Sequence, residues 1–233
     1  MSYRATTGST MDDAQELEDR GEPDGSVAWA GVQTAGRGRH PGRVWYGEPG
    51  ASLLFTVYWR PSRFRVPEFA PSLTVGLGLC LWMEGLGAAS VEPVRLKWPN
   101  DVYRGDRKLA GILVRQRWSA SGQGCLHAGI GVNLSAPPSG APFRTPATSL
   151  AEAGLDLTPV QALTSLLPAL ATALDHRDPR AACEAWLWRL DAEMELSLPA
   201  EDRPRRGVVR GLDDRGRLVW DTSSGRQTVS SGE

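Results

Sequence analysis

Two of the 26 basic residues in this 233-residue chain are lysine, Lys97 and Lys108, and the remaining 24 are arginine. Asparagine and isoleucine are equally scarce, as Asn100 and Asn133, Ile112 and Ile130. GC-rich codon usage thins out all three residue types together, but it does not explain why all six survivors lie between residues 97 and 133. A generic surface cation can be arginine at no cost, whereas a compact ammonium at a fixed point cannot be replaced by a wide planar fork. The chemistry is expected in that segment, with Lys108 at its centre.

Four clusters have residue types suited to holding an anion. The first, Gln33 to Trp45 (QTAGRGRHPGRVW), combines Gly36, Gly38 and Gly42 with Arg37, Arg39 and Arg43 and has no acid before Glu48. It does not match the dinucleotide-binding fingerprint, and no helix is expected after it. Its glycines let a loop close over a ligand, and its arginines offer planar donors to carboxylate or phosphate. Taken alone it also fits a solvated basic loop. A nucleic-acid contact is disfavoured by the net charge of −1 and the lack of a basic face elsewhere. The second cluster, Lys97-Trp98-Pro99-Asn100-Asp101, ends a strand in a turn that exposes an amide and a carboxylate together, although such a turn is common. The third, Lys108 to Leu113 (KLAGIL), opens an apolar strand with a lysine and leaves Gly111 bare. The fourth, Gly129 to Asn133 (GIGVN), sets two glycines in a strand, which fits either a ligand against the backbone or a tight packing contact.

The elements that must position these clusters follow from periodicity and punctuation. Acids at Asp12, Asp13, Glu16, Glu18 and Asp19 followed by Gly21 predict a short first helix, with Thr10 and Asp13 as a capping box. Residues 26–34, 52–59, 94–98, 108–118 and 125–134 read as strands, and 68–86 as a buried helix. A turn at Gly105-Asp106 is expected to join 94–98 to 108–118 as a hairpin, and the polar SASGQG segment to turn into 125–134. Residues 135–148 read as a loop. Thr158, Pro159 and Gln161 start a helix with Val160, Leu163, Leu167, Leu170 and Leu174 on one face and a kink at Pro168. A further helix is expected over 180–195 with Trp186 and Leu190 on one side, then a basic linker at Arg203–Arg206 and alternating short strands over 201–233.

A hydrophobic fraction of 41% and a charged fraction of 23% are ordinary for one large globular domain with a small appendage. No apolar run reaches the ~18 residues of a membrane span, and the N-terminus lacks the basic-then-hydrophobic pattern of a secretory signal. Cys80, Cys125 and Cys183 are an odd number at wide spacing. Only Cys125 and His127 stand close together, and no zinc site is suggested. A reduced, cytoplasmic protein is expected.

In this order and spacing, the clusters resemble the biotin–protein ligase family: Ser9-Thr10 before the first helix, GRGRxxGRxW, KWPND, KLAGIL and GIGVN, from about residue 8 to the C-terminus. The resemblance implies an α+β fold. A mixed β-sheet flanked by helices, the class II synthetase-like biotin/lipoate ligase fold, would occupy residues 1–200, and a small C-terminal SH3-like β domain residues 201–233. It also implies two half-reactions, adenylation of biotin by Mg2+-ATP and transfer of the acyl group to a lysine of a biotin carboxyl-carrier domain. By matching positions, Ser9, Thr10, Gln33, Gly36 and Gly38 would meet biotin, with Gly111, Gly129 and Gly131 lining its slot. Arg37, Arg39 and Lys108 would hold the carboxylate and then the α-phosphate, Arg39 and Lys108 serving catalysis. Trp45, Asn100, Asp101 and Asn133 would serve the nucleotide, Asp101 also standing near magnesium.

Three departures stand out. Met11 replaces the asparagine common after Ser-Thr, His40 and Pro41 together stand where one residue is usual, and the chain stops about one strand before such a barrel would close. The sequence leaves no room for an N-terminal helix-turn-helix, so DNA binding is not expected. Lipoate–protein ligase shares the fold and the adenylate chemistry, but the GRGR loop and KWPND favour biotin. A non-catalytic biotin- or nucleic-acid-binding module is disfavoured by Lys108 beside the arginine loop.

Overall fold

A computed structural model describes residues 1–40, 42–45, 47–60, 69–89, 92–118, 124–135, 145–198, 201 and 203–232. The expected turn at SASGQG, apart from Gly124, and most of the loop at 135–148 lie outside the described residues. Seven strands make one mixed sheet: β1 (Ser2–Thr7), β2 (Val27–Gln33), β3 (Ser52–Trp59), β4 (Val94–Lys97), β5 (Asp101–Arg104), β6 (Arg107–Trp118) and β7 (Gly124–Asn133). Their spatial order is β1-β2-β3-β7-β6-β5-β4, with β1 and β2 parallel and the other pairs antiparallel.

Helices cover both faces. Helix α2 (Pro71–Gly85) is apolar on all sides, as it must be when it lies between the sheet and α3 (Pro159–Leu174). Even-numbered residues of β7, among them Leu126, Ala128, Ile130 and Val132, point into that core with Phe55, Leu77 and Leu166. Helix α1 (Thr10–Asp19) covers the opposite face, burying Ala14 and Leu17 against Ala28, Tyr58 and Cys125.

Several expectations need correction. Strand β1 was not anticipated, because its SYRATT sequence is exposed on most positions and shows no alternation. The N-cap of α1 is Ser9, not Thr10; its hydroxyl accepts from the Met11 amide, which frees Thr10 to face the sheet. KWPND is a hairpin turn in its own right, because Asp101–Arg104 forms β5, and the Gly105-Asp106 turn therefore joins β5 to β6. Helix α3 has the expected capping box but runs through Pro168, and Ala162, Leu163, Leu166, Leu170 and Ala173 are its buried residues, leaving Val160 exposed. Helix α4 spans only Pro179–Ala185; Arg189 and Asp191 take left-handed φ values of 59° and 58°, which no helix tolerates.

A second, antiparallel sheet follows in the order β11-β10-β9-β8, built from β8 (Glu193–Leu196), β9 (Arg205–Leu212), β10 (Leu218–Thr222) and β11 (Gly225–Val229). Its first strand precedes the 203–206 linker, and Arg205 and Arg206 open β9. Trp220, Val209 and Leu218 join the main core, and Trp98 of KWPND donates its indole N–H to the Gly216 carbonyl at 3.0 Å. The small sheet is thereby fastened to the turn that carries Asn100 and Asp101.

Candidate functional site

The cleft is floored by backbone. Gly111 on β6 and Gly131 on β7 are paired across the sheet and carry no side chain where ordinary residues would stand. The Trp45 indole rests on them: a Cβ would come within 2.7 Å of the ring at Gly111 and 2.4 Å at Gly131. The indole nitrogen is buried and has no hydrogen-bond partner among the described residues. Gly129, one step along β7, instead meets the Met11 sulfur, 2.9 Å from where its Cβ would be. The residue that departs from the family pattern thus closes one end of the floor.

Three cations line this floor, and each is held by an acceptor from the chain itself. Lys108 Nζ lies 2.7 Å from Asp101 Oδ1 and 5.7 Å from the centre of the Trp45 ring. Arg37 grips Asp12 with both terminal nitrogens, at 2.9 and 2.5 Å. Arg39 donates to the Gly232 carbonyl at 2.7 Å, reaching the end of the second sheet. The loop that carries the arginines is folded back on itself, with Gly38 N–H to Arg43 O at 2.8 Å and Trp45 N–H to Gly36 O at 3.2 Å.

Polar groups fix the rim. The Gln33 carboxamide oxygen accepts from the Thr10 amide at 2.7 Å and from its hydroxyl at 3.0 Å. Thr10 Oγ1 also lies 2.9 Å from Thr56 Oγ1, so the start of α1 is tied to both β2 and β3. Asn100 donates to the Ile112 carbonyl at 2.8 Å and locks the KWPND turn against β6. The Lys108 backbone is held on its open side by Pro146 and Thr148.

Of the residues singled out in the sequence, Ser9, Thr10, Gln33, Arg37, Gly38 and Arg39 line this one cleft from α1, β2 and the loop. Trp45, Asn100, Asp101, Lys108, Gly111, Gly129 and Gly131 line it from the other sides. Gly36 and Asn133 do not. Gly36 supports the loop beside Trp45, and the Asn133 amide is spent on the Thr148 carbonyl at 2.9 Å, behind Lys108. Lys97 also lies outside the cleft, donating to the Trp98 carbonyl. Asp12 and Thr56 were missed. Asp12 looked like one of several helix acids, and only the folded loop shows that it faces Arg37.

Comparison with known proteins places the chain in a family. The sequence profile of the Biotin/lipoate A/B protein ligase family matches residues 3–134, and that of the Biotin protein ligase C terminal domain matches residues 197–233. A biotin--[acetyl-CoA-carboxylase] ligase from Paracoccus denitrificans is 35% identical over 218 residues, covering 88% of this chain and 89% of that protein. The bifunctional ligase/repressor BirA of Escherichia coli K12 is 32% identical over 200 residues, covering 84% of this chain but 61% of the longer protein. Among solved structures, the biotin protein ligase from Aquifex aeolicus in complex with biotin and ATP superposes with a TM-score of 0.79 at 26% identity, covering 99% of this chain and 95% of that one. The chain belongs to the biotin/lipoate A/B protein ligase family.

Proposed function

We propose that the chain is an ATP-dependent biotin–protein ligase. It would convert biotin to biotinyl-5'-AMP and pass the acyl group to a lysine of a biotin carboxyl-carrier domain, with residues 1–200 as the catalytic part and 201–233 as the small β part. The observation that carries this reading is the cleft itself: a glycine floor flanked by Lys108, Arg37 and Arg39, in a chain with only two lysines.

A bare floor between β6 and β7 suits a flat, uncharged ring, with Ser9, Thr10 and Gln33 as polar contacts at its end. The ligand's carboxylate would then displace protein acceptors from the cations. Lys108 would leave Asp101, and Arg37 would leave Asp12, each trading one oxygen for another. When a carboxylate oxygen attacks the α-phosphorus and pyrophosphate departs, the negative charge moves from carboxylate to phosphoryl oxygens. An ammonium on a flexible stem can follow that charge. In the second step the carrier lysine attacks the acyl carbon and AMP leaves. No enzyme nucleophile is required, so positioning and charge stabilisation carry the catalysis.

Magnesium would arrive on the ATP phosphates, whose charge it would neutralise. Asp101 is the carboxylate of the cleft that stands beside Lys108, and a single protein carboxylate with substrate phosphates is an ordinary magnesium donor set. A direct test is to incubate the protein with ATP, biotin and an apo carrier domain and to probe for covalent biotin. Labelling of the carrier lysine is expected; no labelling, with biotin nevertheless bound, would leave only a binding module.

A further inference from the structure

Behind the cleft, Cys125 and His127 occupy alternate positions on β7 and so point to the same side of the sheet, where the C-terminal half of α1 covers them. Glu18 comes down from that helix to meet them. One ligand atom from each of the three residues lies within 4.8 Å of those from the others, the only such group of potential metal ligands among the described residues. Cys125 and His127 are almost wholly buried, and Glu18 is mostly so. We propose that Glu18, Cys125 and His127 form a site for a divalent cation of the zinc class, which would clamp α1 to β7 behind the ligand cleft.

The donor set is a sulfur, an imidazole nitrogen and a carboxylate oxygen, the three ligand types that zinc accepts. His127 Nε2 lies 3.2 Å from Glu18 Oε2 and has no well-aligned hydrogen bond among the described residues. Two nitrogen or oxygen ligands of one tetrahedral zinc stand about 3.4 Å apart, side by side rather than head to tail. The observed 3.2 Å is close to an edge of such a tetrahedron, so the pair could share a metal with little movement. Three protein ligands leave a fourth position for water, and an open surface cleft lined by Gln15, Arg115 and Arg117 reaches His127 from solvent.

Charge and the His127 lone pair suit such a site, while the Cys125 proton is one the metal must displace. Burial holds the His127 pKa below its usual value, so its ring is neutral with a lone pair to give. Burial, with Glu18 adding to it, pushes the Cys125 thiol up to about 12, so the free chain carries the thiol. Metal binding then breaks the S–H bond, forms the sulfur–metal bond and releases the proton to solvent, with no oxidation or reduction. A thiolate and a carboxylate neutralise a dication. The opposing charges are Arg117, which reaches Glu18 Oε2 at 3.0 Å, and Arg60, which is paired with Asp24 at 2.6 Å. Arg117 is nearly half exposed and holds the carboxylate that the metal would take, so it acts as a competitor that must swing aside.

Sequence spacing did not reveal the site because the third ligand stands more than 100 residues before the other two. The test is to add cobalt(II) to the tag-free full-length chain and record its near-ultraviolet and visible absorption. The expected result is one cobalt per chain with a thiolate-to-cobalt band, bleached by zinc, absent in Cys125→Ser and at least tenfold harder to saturate in His127→Gln. Arg117→Gln should bind severalfold more tightly. Absence of a thiolate band in the wild type, or an undiminished band in Cys125→Ser, would overturn the proposal. If Cys125→Ser fails to fold, the near-isosteric Glu18→Gln takes its place, and unchanged affinity there counts equally against the site. Cobalt held by Asp101 in the ligand cleft would give no thiolate band.

Discussion

One face of β7 carries Cys125, His127, Gly129, Gly131 and Asn133 in alternation, and its two halves are used in opposite ways. At the Cys125 end the side chains fill the space under α1, which covers the sheet there apart from the surface cleft beside His127. At the Gly131 end there is no side chain, α1 has not reached that far, and the Trp45 indole lies on bare backbone. The same strand thus seals one part of the molecule and opens the next within two residues. Whether a strand face becomes core or cleft depends here on the side chains it omits, because removing a Cβ gives access to a surface that packing would otherwise occupy. Met11 marks the boundary, touching Gly129 from the first turn of α1.

The largest effect should come from the cleft's fixed cation. Lys108→Ala is expected to lower adenylate formation by roughly a hundredfold or more, the scale of losing one preorganised charge donor. Lys108→Arg should also be impaired, while Lys97→Arg, outside the cleft, should be much milder. Single-turnover formation of biotinyl-5'-AMP measures all three, and wild-type rates in Lys108→Ala would remove the lysine from the mechanism.

The two glycines should then separate. In Gly131→Ala the new methyl collides with a rigid indole that can lift away with its loop, so the fold survives while the floor is spoiled. Its KM for biotin is expected to rise about tenfold, equivalent to about 1.4 kcal/mol. Gly129→Ala crowds the flexible Met11 thioether and meets Thr56 Oγ1 at an ordinary 3.5 Å, and should change KM by less than about threefold. Equal effects of the two changes on KM would show that the halves of this face do not differ as described.

Smaller still is the expected effect of Asp12→Asn, which breaks an exposed ion pair worth at most about 1 kcal/mol. Freed of its internal partner, Arg37 should accept a carboxylate more readily, lowering the KM for biotin by up to about fivefold. Trypsin should also cut after Arg37 faster in the ligand-free variant than in the wild type. An unchanged KM and cleavage rate would mean that the pair does not compete with ligand.

The smallest effect concerns the sealed end. His127 is held neutral in the folded chain, mainly by burial, against the opposing pull of Glu18. Its unfolded pKa is about 6.5, so its contribution to stability is complete above that value and is lost as pH falls from there towards the lower folded value. His127→Gln should therefore lose less melting temperature than the wild type between about pH 7.5 and pH 5.5, measured without added metal. An equal loss in both would place the acid sensitivity elsewhere.

Much of the cleft could be read before the fold was known, because Lys108, Asn100 and the paired glycines are rare or conspicuous types in this composition. Their neighbours could not. Asp12 and Glu18 are two of five acids on one short helix, and only the way α1 lies on the sheet sends one to Arg37 and the other to His127. The same limit applies to elements. The capping box at Thr158 is local chemistry and was legible, whereas the end of α4 depends on left-handed residues that are not glycine, within a run of tryptophans and leucines that looks helical. Strand β1 has no inward-facing apolar set, so its pairing with β2 supplies order that its own pattern does not show.

Activation of biotin in the cleft is the step from which the other roles follow. ATP–pyrophosphate exchange measures that step without a carrier protein, with biotin, with lipoate or with neither added. Label is expected to enter ATP only when biotin is present, and the signal to collapse in Lys108→Ala. Exchange supported by lipoate and not by biotin would assign the cleft to the other acid of this family, and no exchange with either would contradict its role in adenylation.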